Sequence, residues 1–280
     1  MKPTRNSFSH RGFALSYLDS APNDNKRPVV MLLHGFPDSA EMWQPQIAAL
    51  HAAGYRCIAP DTLGNGHSEI APRVRDYNPV KIASDHAALL EHLGIEKASV
   101  VGHDWGAAVA WLVAGHHPES VDKLVVISVG HPTAYARGEF RQKLLGWYTF
   151  FFQLRGLSEW IVKQAVNDRS FFGKLYIFQS HPQIEEVAER MNAPGRLTAG
   201  INIYRAAVSS VLFQKQPSVS APTLGIWSDQ DYFLVESQMT ESEKYVNASW
   251  QYLRLSGEHW LPIEQPERIN ELLLGHLQAA

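Results

Sequence analysis

Short β-branched runs alternate with helical patterns through the first half of this chain, and that alternation narrows its fold most. Pro28 to Gly35 (PVVMLLHG), Tyr55 to Asp61 (YRCIAPD) and Ala98 to Asp104 (ASVVGHD) each read as a buried strand bounded by turn residues. Between them lie AEMWQPQIAALHAAG and PVKIASDHAALLEHLG. The second repeats apolar residues at helical spacing and ends on Gly94, a C-cap signal. A helix beginning at Trp105 is followed by another strand, KLVVISVG. Strand and helix alternating in this way predict an α/β fold with a mostly parallel sheet.

The pattern changes after His131-Pro132. Residues 133–216 show helical segments, many aromatic residues and no convincing strand. Strand-like runs resume with PTLGIWSD (Pro222 to Asp229) and ASWQYLRL (Ala248 to Leu255), and an amphipathic helix follows from about Pro266. One α/β core (1–132 and 217–280) interrupted by a helical lid (133–216) over the strand ends accounts for this order. With 280 residues, 45% of them hydrophobic, the chain can bury a large core. A net charge of -3 and scattered lysines and arginines predict no nucleic-acid partner. Cys57 is the only cysteine, so it reads as a buried free thiol with no disulfide within one chain. The N-terminus MKPTRNSFSHRGFALSY has no apolar signal region, and no apolar run approaches the ~20 residues that span a bilayer. A cytoplasmic protein without a membrane partner is the expectation.

The chemistry concentrates in Gly102-His103-Asp104-Trp105-Gly106, which has the form G-x-nucleophile-x-G. In a strand-turn-helix elbow the central residue sits in a strained turn, and only small residues fit on either side. The N-terminus of the following helix supplies N–H groups and positive potential, which stabilise an aspartate there as the anion. A carboxylate so placed suits substitution at an alkyl carbon, giving an ester that water must then hydrolyse. The plain alternative is an ordinary turn with Asp104 as an N-cap.

Three further stretches complete a reacting set. HGFPDS, His34 to Ser39, ends an apolar strand and can aim the Phe36 N–H at developing negative charge, with the Trp105 N–H as second donor. Pro37 fixes that turn, cis or trans. His259 in SGEHWLPIEQPERI lies in a loop before the last helix, where a base following the nucleophile and the acid belongs. In IWSDQDYFL both Asp229 and Asp231 are placed to orient it. Asp231 is preferred because it falls at the aspartate of a G-x-x-D pattern, although Ser228 replaces the glycine; Asp229 then becomes a turn residue.

Carrying HGFPDSAEMW, GHDWGAAVAW and GEHWLPIEQPE, the chain resembles the epoxide hydrolases of the α/β-hydrolase fold over nearly its whole length. The resemblance implies two lid tyrosines that hydrogen-bond the epoxide oxygen. GWYTFFFQLRGLSE is similar to the first tyrosine segment and gives Tyr148; LTAGINIYRA is similar to the second and gives Tyr204. Tyr176 competes for the first role. The resemblance further implies a catalytic triad of Asp104, Asp231 and His259, an oxyanion hole of Phe36 and Trp105, a substrate site shared by Phe36, Trp105, Tyr148 and Tyr204, an epoxide and water as reactants, and no metal or organic cofactor. Leu63 and Asn65 in DTLGNGHSEIAP depart from relatives that carry arginine and an aromatic residue there.

Two other readings share the elbow. Haloalkane dehalogenases pair an aspartate with tryptophan in this way, but carry a halide-binding group where this chain has Phe36. A non-enzymatic small-molecule binding protein on the same fold would need no nucleophile, base and acid. His116 and His117 read as helix-end residues on the dipole, His103 and His131 as structural or pocket-lining, and no group has metal-ligand spacing. The aromatic-rich lid suits an apolar or aryl epoxide and equally a dimer contact, so a homo-oligomer stays open.

Overall fold

The computed structural model describes residues 2–167, 181–210 and 214–279. Their apolar runs form β1 (Thr4–His10), β2 (Phe13–Asp19), β3 (Val29–Leu33), β4 (Arg56–Pro60), β5 (Ala98–His103), β6 (Val121–Ile127), β7 (Thr223–Ser228) and β8 (Trp250–Leu255). All eight belong to one sheet in the order β1-β2-β4-β3-β5-β6-β7-β8. The β1–β2 and β2–β4 pairs are antiparallel, and every pair from β4 to β8 is parallel. The fold class is therefore α/β, as the alternation predicts. The N-terminal hairpin is an addition that the sequence reading did not include. In Thr4–His10 only Phe8 is buried, so this edge strand carries no continuous apolar run to announce it.

The central strands are buried on both faces, and their two-residue period divides one core into two. Met31, Leu33, Val100, Leu124 and Val126 face one layer, while Val30, Leu32, Val101, Val125 and Ile127 face the other. Helices α1 (Gln44–Ala52), α2 (Pro79–His92) and α3 (Trp105–His116) cover the sheet, α2 and α3 on the first layer and α1 on the second. Gly94 closes α2 at φ 65°, the left-handed conformation expected of a glycine C-cap. Between β6 and β7 the described residues hold α4 (Pro132–Arg137), α5 (Phe140–Leu145), α6 (Trp147–Phe151), α7 (Leu157–Asn167), α8 (Ile184–Asn192) and α9 (Arg196–Ser210), and no strand. Buried Arg205 on α9 ion-pairs with Glu159 on α7 at 2.7 Å and donates to the Phe152 carbonyl at 2.7 Å. That link fixes α9 against α6 and α7. The C-terminal third adds α10 (Glu236–Thr240), α11 (Leu261–Glu264) and α12 (Pro266–Gln278), the last packing with α1 on the second layer.

Parallel strands place all their C-terminal ends at one edge. Leu33 pairs with Gly102 at the ends of β3 and β5, so the HGFPDS turn and the Asp104 elbow lie side by side. The loops after β7 and β8 reach the same edge, which is where open α/β sheets bind ligands.

Candidate active site

Asp104 sits between β5 and α3 at φ 52° and ψ -124°, a backbone state that costs a non-glycine residue about 1–3 kcal/mol. Close packing enforces it. A Cβ on Gly102 would overlap the Gly106 carbonyl, and one on Gly106 would overlap the Leu33 carbonyl. The elbow can therefore turn only with glycine at both places. Asp104 makes no side-chain N-cap bond. Instead its Oδ1 accepts the Phe36 N–H at 2.8 Å, and its Oδ2 lies 3.6 Å from His259 Nε2. Trp105 follows as the first residue of α3, where the N–H has no acceptor within the helix. The Phe36-Pro37 peptide bond is cis.

His259, between β8 and α11, is buried, and its Nδ1 lies 2.7 Å from Asp231 Oδ2. Asp231 Oδ1 accepts the N–H groups of Phe233 (2.8 Å) and Leu234 (3.2 Å), which holds the carboxylate in a single orientation. Asp229 instead accepts the Gly257 N–H at 3.3 Å and bridges two turns away from His259. Burial pushes the His259 imidazole pKa down, but Asp231 and Asp104 outweigh it and hold it up at about 10. His103 donates through Nε2 to the His259 carbonyl at 2.9 Å. Burial, and then the charge of His259, push His103 down to about 4, so it stays a neutral prop beneath that loop.

Tyr148 on α6 and Tyr204 on α9 meet over Asp104, their ring centroids 5.9 Å apart. Both line a cavity of about 60 Å³ with Asp104, Trp105 and Leu234, and a second of about 20 Å³ with Asp104, Phe36 and His259. Tyr204 packs edge-on against Trp105 at 5.0 Å and Phe36 at 5.6 Å. Burial first, then neighbouring phenols and the Asp104 charge, raise the Tyr148 pKa well above 10. Burial and Asp104 do the same for Tyr204, against a hydrogen bond with Trp105. Both phenols therefore keep their protons beside the carboxylate. Tyr176 lies outside the described residues.

Two groups escaped the sequence reading. Tyr135 on α4 lines the larger cavity and bonds the side chains of Gln142 and Thr149. Its only signal is position, just beyond the C-terminal end of β6. Asp38, inside HGFPDS, is buried and accepts from Trp260 Nε1 at 3.2 Å, with His181 Nε2 at 3.1 Å and Arg190 Nη2 at 3.6 Å. Burial raises its pKa, but His181 and Arg190 outweigh that and keep it low. Leu63 is buried in the core and Asn65 is half-buried; neither lines the two cavities that hold Asp104. The His131 imidazole caps α4 by accepting the Thr133 N–H and donates to the Pro217 carbonyl, and His116 meets Gln216. Cys57 is free and buried, its thiol pushed up to about 12 by burial. Among the described residues no three His, Cys, Asp or Glu groups converge as a metal site, and no helix is long and apolar enough to cross a membrane.

Known proteins share this fold. A family model described as alpha/beta hydrolase fold matches residues 28–266. The AB hydrolase superfamily protein YfhM of Bacillus subtilis is 33% identical over 260 residues, covering 90% of each chain. Epoxide hydrolase 4 of Homo sapiens is 32% identical over 271 residues, covering 90% of this chain and 73% of its own. Among solved structures, epoxide hydrolase A from Mycobacterium thermoresistibile superposes with a TM-score of 0.81 at 24% identity, covering 99% of this chain and 98% of that one, a likeness of fold. An elbow aspartate in an eight-stranded α/β sheet, a matching family model and relatives of this identity and coverage lead to one conclusion: the chain belongs to the α/β-hydrolase fold family, among its epoxide hydrolases.

Proposed function

We propose that the protein hydrolyses an epoxide to a vicinal diol through an ester on Asp104, using the triad Asp104, His259 and Asp231 beneath a lid formed by residues 133–216. The observation that carries the reading is the meeting of two protonated phenols, Tyr148 and Tyr204, with a carboxylate in one cavity. Asp104 Oδ1 is held by the Phe36 N–H, which leaves Oδ2 to attack a ring carbon. The carbon–oxygen bond breaks, and its electron pair goes to the ring oxygen. That oxygen takes a proton from Tyr148 or Tyr204, a transfer unavailable to a bare hydrocarbon wall.

Esterification removes the Asp104 charge, one of the two that keep His259 protonated. The imidazole pKa then falls, its proton returns to the tyrosinate left by ring opening, and the neutral His259 can take a proton from water attacking the ester carbonyl. Oδ1 becomes the oxyanion, already facing the Phe36 N–H, with the Trp105 N–H beside it. Collapse breaks the bond between the acyl carbon and the diol oxygen, the diol leaves with a proton from His259, and the carboxyl proton left on Asp104 passes to the imidazole, which restores the resting charges. Every step runs on side chains and backbone N–H groups of this chain. The cavity is small, so small apolar epoxides suit it and larger ones require the lid helices to move. A cytoplasmic setting accords with the single buried thiol.

A panel of terminal and aryl epoxides beside bromoalkanes tests the reading, scoring diol and halide separately. Diol formation that disappears in Asp104→Ala and weakens in Tyr204→Phe is expected. Halide release without diol would overturn it in favour of dehalogenation.

A further inference from the structure

We propose that the outer face of α5, α6 and α7 is a docking surface for a lipid bilayer with anionic headgroups. Phe140, Leu144, Trp147, Phe150, Leu157 and Trp160 lie in three successive helices and are between 48% and 73% exposed. Within each helix they recur three or four residues apart, so each helix turns an apolar edge outward. Leu154, between α6 and α7, is exposed as well, and outside this stretch the described residues hold only Ile70 and Tyr232 as further exposed large apolar side chains. Exposed apolar residues concentrated in one stretch of three consecutive helices mark an interaction surface, whereas apolar residues scattered along a chain do not.

Charge identifies the partner. The stretch from Arg137 to Lys163 carries five cations against two acids, in a chain whose net charge is -3. Arg137, Arg141, Lys143, Arg155 and Lys163 are exposed, and none joins an ion pair among the described residues. Of the two acids, Glu159 is already engaged by Arg205. A second copy docking through the same face would set these cations against themselves, because a two-fold interface opposes identical patches. Aromatic and aliphatic side chains fringed by unpaired Lys and Arg are instead what a helix lying in an anionic membrane interface presents. No helix among the described residues is long and apolar enough to cross a bilayer, and lying on one is a separate demand that needs only this face. The place matters for access. Tyr148 and Thr149 of α6 line the cavity beside Asp104, while Trp147 and Phe150 of the same helix point out. One helix therefore separates the site from the docking face, where apolar solutes dissolved in lipid would be concentrated.

Vesicle flotation of the purified full chain tests this without reference to any reaction. Vesicles of phosphatidylcholine alone are compared with vesicles containing about one third phosphatidylserine, at low and high salt. The protein should float with the anionic vesicles only, and salt should release it. Arg141→Glu with Lys143→Glu should weaken binding by at least about tenfold, as should Trp147→Ser with Phe150→Ser. Circular dichroism and thermal unfolding of each variant separate lost binding from lost folding. The proposal is overturned if anionic vesicles capture nothing at low salt. It is equally overturned if folded charge-reversed protein floats like the wild type, or if sedimentation shows a dimer that Trp147→Ser dissociates.

Discussion

Asp104 and His259 share one electrostatic account, because each carboxylate near the imidazole helps to keep its proton on. Replacing Asp104 with asparagine leaves Asp231 alone in that role, so the His259 pKa should drop from about 10, read by proton NMR of the imidazole. The same variant should lose at least about 10³-fold in turnover, since no nucleophile remains. The sign for stability follows. The folded pKa lies above the ordinary 6.5, so this contribution is complete below that pH and fades as pH rises through about 10. Thermal unfolding followed against pH should show that fading in the wild type and less of it in His259→Gln. Tyr148→Phe and Tyr204→Phe should each slow ester formation by about 10²-fold, measured as single-turnover rates, because each removes a donor to the ring oxygen. Unchanged rates in both would reduce the tyrosines to cavity lining.

At the level of elements, the elbow is a packing device as much as a chemical one. Gly106→Ala forces a methyl group into the Leu33 carbonyl and should cost about 3 kcal/mol in denaturant unfolding. The Asp38 contacts tie the HGFPDS turn to Arg190 on α8 and to His181 just before it. Asp38→Ala leaves those donors without their carboxylate and should destabilise the fold by about 3 kcal/mol. These two cases show what the chain discloses before it folds. Gly102, Gly106, Asp104 and His259 are legible because each answers a local backbone demand or a fixed order along the chain. The pairing of Asp38 with His181 joins residues 143 positions apart, and no local pattern encodes it. Tyr135 went unread for a related reason, since it meets Asp104 and Tyr204 in a cavity built from distant parts of the chain. The Thr4–His10 edge strand pairs locally with Phe13–Asp19 and went unread because only Phe8 in it is buried.

Across the whole molecule, the mostly parallel sheet gathers loops from β3, β5, β7 and β8 at one edge, and Tyr135, Tyr148 and Tyr204 of α4, α6 and α9 line the cavity beside Asp104 there. The two-stage reaction proposed above needs a shielded cavity, because water must reach the ester but not replace the carboxylate as first nucleophile. One turnover with enzyme in excess over epoxide, run in water enriched in heavy oxygen, separates the two orders of attack. If Asp104 attacks first, the diol from that turnover carries no label, and the peptide containing Asp104 gains the heavy oxygen when water cleaves the ester. Labelled diol with an unlabelled Asp104 peptide would mean that water opens the ring directly, and would contradict the ester on Asp104.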